Sequence, residues 1–239
     1  MNAFEGALSY VQPALAAVID RPLSDRELDE TLEFADVIEF RADYFPTRDL
    51  GCSIDQLQRF DDTPTILTVR SGGQGGQFEG SSESLLKTYL GLMNHVDAVD
   101  VEMESPVVQN VMASAVRLDR DVSIILSHHD FSDTNIPSLE EHHQVAKAMR
   151  PDIYKYACQV YDRADYLAFG QFIDAHSTDT IIASAMAKFS FGRRTRAFMP
   201  MFGSKLIYAS AIGSKPVVDG MPSVAIMREI LDLLYLEDL

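Results

Sequence analysis

The 239-residue sequence predicts an α/β protein built as a (β/α)8 TIM barrel, a single domain over residues 1–239. Three observations predict it. Eight apolar, β-branched runs recur with helix-like stretches between them, at about thirty residues per unit. No linker, low-complexity segment or sequence-level repeat divides the chain. Several of the runs begin apolar and end with ionisable residues of one parity, which places polar groups at one end of a barrel. A doubly wound sheet shares the alternation and is the alternative fold.

In chain order the predicted strands are 15–19 (LAAVI), 36–42 (DVIEFRA), 65–70 (TILTVR) and 98–103 (AVDVEM), then 123–129 (SIILSHH), 153–160 (IYKYACQV), 180–187 (TIIASAMA) and 206–212 (LIYASAI). Period-3.6 apolar spacing predicts helices in the stretches 81–96, 138–149 and 223–236, with Ser81 or Ser82, Ser138 and Ser223 as N-caps. The SGGQGGQFEG stretch after the third strand reads as a flexible loop that can come close to a ligand. It has neither G-x-G-x-x-G before a helix nor a G-K-[ST] ending, so it is no phosphate cradle.

Composition limits the classes of function. The balance of 20 basic against 36 acidic residues, a net charge of −16, argues against nucleic acid or an anionic membrane as partner. Asp dominates the acids and Arg the bases (23 Asp, 13 Glu, 14 Arg, 6 Lys), the balance expected of a surface dissolved in a salty cytoplasm. No apolar run approaches a membrane span, and the first twenty residues lack the basic start of a secretory signal. Cys52 and Cys158 make no disulfide framework and read as small buried hydrophobes in a reducing cytoplasm. No Cys or His spacing resembles a zinc site, so no metal is expected, and the His142-His143 pair reads as a solvated helix face.

Strand parity gathers the candidate chemistry. Glu39 and Arg41 share a face of the second strand whose opposite face is Ile38, Phe40 and Ala42. Thr68 and Arg70 share a face of the third strand, and Asp100 and Glu102 one of the fourth. Lys155 lies in the sixth strand on the parity of Ile153 and Ala157. An amine stripped of hydration favours its neutral form and can attack a carbonyl; the alternative is an ion pair with Asp100 or Glu102. In the fifth strand, parity separates His129 from His128 without choosing between them, because both faces are apolar.

The ordered set VIEFRADYF, TILTVRSGGQGG, DAVDVEM, ILSHHDFSDT, DIYKYA, SAMAK and TRAFMPMFGS resembles the type I 3-dehydroquinate dehydratases. The resemblance runs from the second strand to the last helix, and SHHDF followed by DIYKYA is its most specific part. It implies a hydro-lyase of the shikimate pathway that converts 3-dehydroquinate to 3-dehydroshikimate without metal or organic cofactor. Lys155 matches the Schiff-base lysine and His129 the general acid/base. Glu39, Arg41 and Arg70 match residues that hold the substrate's ring substituents, and Arg196 matches the arginine that clamps its carboxylate. A homodimer is common in the resembled family, and no patch in the sequence identifies an interface.

Two departures from the family pattern stand out. Gln74 occupies the loop position of a glutamate that hydrogen-bonds the catalytic histidine. On that reading Glu79 is the substitute carboxylate, and Gln74→Glu raises activity or shifts its pH optimum. Met221 stands where the lid before the last helix carries a glutamine, with Val217 near the place of its serine. These departures leave three readings: an active dehydratase with a rearranged lid, another Schiff-base lyase or aldolase on the same scaffold, or a non-catalytic homologue that binds a shikimate-like acid.

Overall fold

The computed structural model describes residues 2–10, 12–46, 50–60 and 62–235. A short helix α1 (Ala3–Leu8) precedes eight strand–helix units. They run β1 (Ala14–Ile19), α2 (Asp25–Leu32), β2 (Val37–Arg41), α3 (Leu50–Leu57), β3 (Thr65–Thr68), α4 (Ser82–Leu92), β4 (Ala98–Glu102) and α5 (Val108–Ala115). The second half continues β5 (Ser123–Asp130), α6 (Ile136–Met149), β6 (Ile153–Gln159), α7 (Arg163–Ala175), β7 (Ile181–Met186), α8 (Phe189–Phe198), β8 (Leu206–Ser210) and α9 (Val224–Tyr235). All eight predicted strands form, each within two residues of its expected ends. The predicted Leu236 end of the last helix lies outside the described residues.

The strands are parallel, in the order β7-β6-β5-β4-β3-β2-β1-β8. The seam between β7 and β8 is bridged just before β8, where Lys205 N donates to Ile181 O (2.9 Å) and Ser204 Oγ accepts from Ala183 N (2.8 Å). The same device recurs at alternate strand starts. Asp36, Asp97 and Asp152, each just ahead of an even-numbered strand, accept the backbone N–H of Leu15, Thr65 and Ile124 on the preceding odd one, at 2.7–2.9 Å. A short acceptor there satisfies an N–H that the ladder leaves unpaired and fixes the register of the next strand.

Two apolar clusters follow from strand parity. The larger fills the layer between barrel and helices, with Ile38, Phe40, Leu67, Val99, Tyr156 and Phe169 among its buried members. The smaller is the barrel interior: Ala16, Val37, Ile66, Ala98, Ile125, Ile153, Ile182 and Leu206, plugged from below by Phe4 and Leu8 of α1. Above this floor the inward positions turn polar, and that layered change of character positions the site.

Local sequence sets the helix ends. Ser81 caps α4 as predicted, accepting from Ser84 N, and Ser24 forms a capping box with Glu27. The predicted Ser138 cap is displaced: Asn135 caps α6 and accepts from Ser138 N (3.1 Å), because Pro137 suits the first turn, where no N–H is needed. Ser223 precedes α9, and its Oγ accepts from Ile226 N at 3.5 Å.

Two other readings change. His143 is fully buried, not solvated: it lies on the barrel-facing side of α6 with Leu139 and Ala146, against Tyr156 Oη (2.9 Å) and Asp179 (3.1 Å). Cys158 is buried as expected, but Cys52 is only half-buried.

Candidate active site

The middle inward layer of the barrel is an ionic network. Lys155 Nζ donates to Asp100 Oδ2 (2.6 Å) and Glu39 Oε1 (3.3 Å), and sits 4.2 Å from the centre of the Tyr208 ring. Arg70 donates from Nη2 to Asp100 Oδ1 (2.7 Å) and from Nη1 to Ser127 Oγ (2.8 Å). Ser127 Oγ in turn donates to Asp100 Oδ1 (2.6 Å), and Thr68 Oγ1 to Glu39 Oε1 (2.9 Å). Burial alone would raise the Asp100 carboxyl, but Arg70 and Lys155 hold it well below the usual carboxylate range. The same pairing corrects the expectation of a neutral amine. Burial would lower Lys155, yet Asp100 and Glu39 outweigh it and hold the ammonium above its ordinary value. The lysine is thus both inward-facing and ion-paired, with Glu39 rather than Glu102 as second partner.

Glu102 holds the loop after β3 instead: its carboxylate accepts Ser71 N (2.7 Å) and Ser71 Oγ (2.8 Å). Asp43 holds the far end, accepting Gln77 N (3.0 Å) while forking with Arg41 Nε (2.9 Å) and Nη2 (2.7 Å). The expected flexible loop is therefore a pinned turn. Its glycines are needed: Gly75 has φ +79° and abuts Phe131, and a Cβ on Gly76 would lie 2.0 Å from Arg70 O. The turn presents Gln74 Oε1 to His129 Nδ1 at 3.0 Å. Burial first, then Arg70 and Lys155, push His129 well below its ordinary pKa, so the imidazole is neutral at pH 7. His128 points away, bonded to Glu104 (2.6 Å) and stacked on His142.

Glu39, Arg41, Arg70, Gln74, His129, Lys155, Arg196 and Met221 line one cavity at the C-terminal ends of the strands, while Asp100, Glu102 and Glu79 lie outside its lining. Arg41, Arg70 and Lys155 are each neutralised by a carboxylate. Arg196, from α8, is not: it is 5% exposed, and its Nε and Nη2 have no partner among the described residues. Burial pushes its guanidinium down to about 10. Met221, Val217 and Val218 close one side of the cavity as an apolar lid. Gly220 (φ +76°) lets that lid turn against Gly192 and Ala187 O. Glu79 is not the substitute carboxylate: it lines a separate surface hollow with Asp43 and Gly80.

Sequence reasoning missed Tyr208, Asp43 and Glu104. Tyr208 was legible as an inward residue, two positions after Leu206. Asp43 and Glu104 lie past strand ends, where parity stops being a guide.

A polar cavity over a barrel floor, with a strand lysine, a neutral imidazole and a guanidinium only partly engaged among the described residues, defines a (β/α)8 enzyme site. The family model for type I 3-dehydroquinase matches residues 20–238, so the chain belongs to that family of hydro-lyases. The 3-dehydroquinate dehydratase of Methanococcus maripaludis is 30% identical over 224 residues, spanning 91% of this chain and 97% of its own. That of Methanosarcina mazei is 28% identical over 233 residues (92% and 93%). In fold the chain is similar to the type I 3-dehydroquinate dehydratase of Clostridium difficile, solved with covalently modified comenic acid (TM-score 0.81, 22% identity, 93% and 92% covered). It is similar also to the 3-dehydroquinate dehydratase of Aquifex aeolicus (TM-score 0.80, 21% identity, 94% and 100% covered). No helix among the described residues is long and apolar enough to cross a membrane.

Proposed function

We propose that this chain, as one catalytic domain in the cytoplasm, dehydrates 3-dehydroquinate to 3-dehydroshikimate through an imine on Lys155, with His129 as general acid and base. The observation that carries the reading is Arg196: a buried guanidinium, two of whose nitrogens have no partner among the described residues, in the cavity that Lys155 and His129 line. A desolvated cation without a counterion is costly, and a substrate carboxylate forking onto it removes that cost. With the carboxylate held there, the ketone meets Lys155. Arg41 and Arg70 are largely engaged with Asp43, Asp100 and Ser127, so they act mainly as walls and as a source of positive potential.

Lys155 is an ammonium at rest; it passes a proton to His129 before its amine adds to the carbonyl, and His129 returns that proton to the carbinolamine hydroxyl, which leaves as water. Loss of water then gives the iminium, an electron sink that acidifies the adjacent C–H. His129 takes that proton on Nε2, leaving an enamine and an imidazolium. The enamine electrons expel the hydroxyl, the imidazolium protonates it, and water departs. Hydrolysis of the conjugated iminium releases the product and the lysine amine. Because only the neutral amine attacks and the Lys155 pKa is raised, imine formation accelerates with pH across the neutral and mildly alkaline range.

The test is borohydride reduction of the protein with 3-dehydroquinate, read by mass spectrometry, alongside formation of the conjugated product. The expected result is an adduct on Lys155 with turnover, both abolished in Lys155→Ala. Turnover by Lys155→Ala overturns the imine, and neither adduct nor turnover in the unsubstituted protein overturns the assignment.

A further inference from the structure

We propose that Glu104 is a positioning residue for His129, acting through the side-chain amide of Gln74. The inference rests on the reading of His129 as general base. Gln74 Nε2 donates to Glu104 Oε2 at 2.9 Å, and Gln74 Oε1 faces His129 Nδ1 at 3.0 Å. A carboxylate only accepts, so the NH2 end of the amide must face Glu104 and its carbonyl must face His129. The carbonyl also only accepts, so Nδ1 of His129 carries the proton and Nε2 is left with its lone pair. The tautomer a general base needs is thereby chosen by a carboxylate outside the cavity lining.

The chain of contacts is anchored at its outer end. Met103 N donates to Ser127 O (2.9 Å) and Ser105 N to Glu102 O (3.0 Å), fixing the backbone on both sides of Glu104. Its other oxygen takes His128 Nδ1 (2.6 Å), with His142 Nε2 3.6 Å away. Facing His129 from the barrel are Arg41 on β2, Arg70 beyond β3, Asp100 on β4 and Lys155 on β6. Burial, reinforced by the three cations against Asp100, keeps the ring neutral. What Glu104 controls is therefore which nitrogen holds the proton, rather than the charge of the ring.

Nitrogen-15 spectra of the histidine rings and steady-state kinetics test this together. In the unsubstituted protein His129 should be the Nδ1–H tautomer. In Glu104→Ala the amide is free to turn, so the tautomers should mix and kcat should fall about tenfold to a hundredfold with little change in KM. Glu104→Gln keeps a carbonyl for the Gln74 amide and should stay within about threefold of the original kcat. Gln74→Glu alone sets two carboxylates face to face, which must share a proton, and should lose activity. Gln74→Glu with Glu104→Gln places a charge directly beside His129. It should recover activity, with the acidic limb of kcat/KM moved to higher pH. An unchanged tautomer or an unchanged kcat in Glu104→Ala overturns the proposal. Failure of the unsubstituted protein to dehydrate 3-dehydroquinate overturns the general-base reading instead, while the nitrogen spectra judge the contact chain by themselves.

Discussion

Asp100 in the polar layer of the barrel and Arg196 on the α8 wall are both buried charges, and the fold treats them oppositely. Both carboxylate oxygens of Asp100 are engaged, by Lys155, Arg70 and Ser127. Two guanidinium nitrogens of Arg196 have no partner among the described residues. A charge whose hydrogen bonds close within the protein holds the structure, whereas one left open is kept for a ligand. The contrast separates residues that a list of cavity-lining side chains would merge.

Substituting each partner breaks the comparison in opposite directions. Asp100→Asn removes the counter-charge of two buried cations and should cost about 3–5 kcal/mol of stability. Because the folded-state pKa of Asp100 is depressed, its contribution is present above the ordinary carboxylate pKa and fades as pH falls below it. A denaturant series over pH should therefore show a shallower acid loss in Asp100→Asn than in the unsubstituted protein. An equal slope in the two proteins would mean that Asp100 is not the ionised hub.

Arg196→Met should do the reverse to stability while harming function. Losing an uncompensated buried cation should raise the melting temperature, by about 1–2 kcal/mol of added stability. Losing the carboxylate fork should raise KM about tenfold to a hundredfold, since each hydrogen bond to a charged group is worth roughly 1.5–3 kcal/mol. Melting curves and initial rates read both effects. A destabilised variant would show that Arg196 is an ordinary structural cation.

The same division explains what the sequence made legible. The eight strands and their inward faces follow from side-chain alternation, which is local, and so Glu39, Asp100 and Lys155 could be placed without a structure. Hydrogen-bond partners are not local. Nothing in the sequence shows that Lys155 meets Glu39 rather than Glu102, or that Gln74 turns to Glu104 rather than Glu79. His143 misled because its neighbours in the chain are polar, while the positions one turn either side of it, Leu139 and Ala146, face the barrel. Asp36, Asp97 and Asp152 read as surface acid, yet each ties a strand to its neighbour. Part of the aspartate excess is therefore structural, and the whole of it cannot be credited to a salty solvent. Gln74→Glu, expected from the sequence alone to help, is now expected to help only in company with Glu104→Gln.

The smallest effect concerns the lid, which belongs to the open side of the comparison but offers it no polar atom. Met221 is 7% exposed and packs with the barrel interior, lining the cavity beside Val217 and Val218. Met221→Gln buries an amide whose donors and acceptor lack a partner until a ligand arrives, costing about 1 kcal/mol, or roughly 2–4 °C in a chain of this size. If the lid faces bound substrate, saturating 3-dehydroshikimate should recover much of that loss, because the ligand's hydroxyls can then meet the amide. An equal loss with and without the ligand would make Met221 a plain apolar wall.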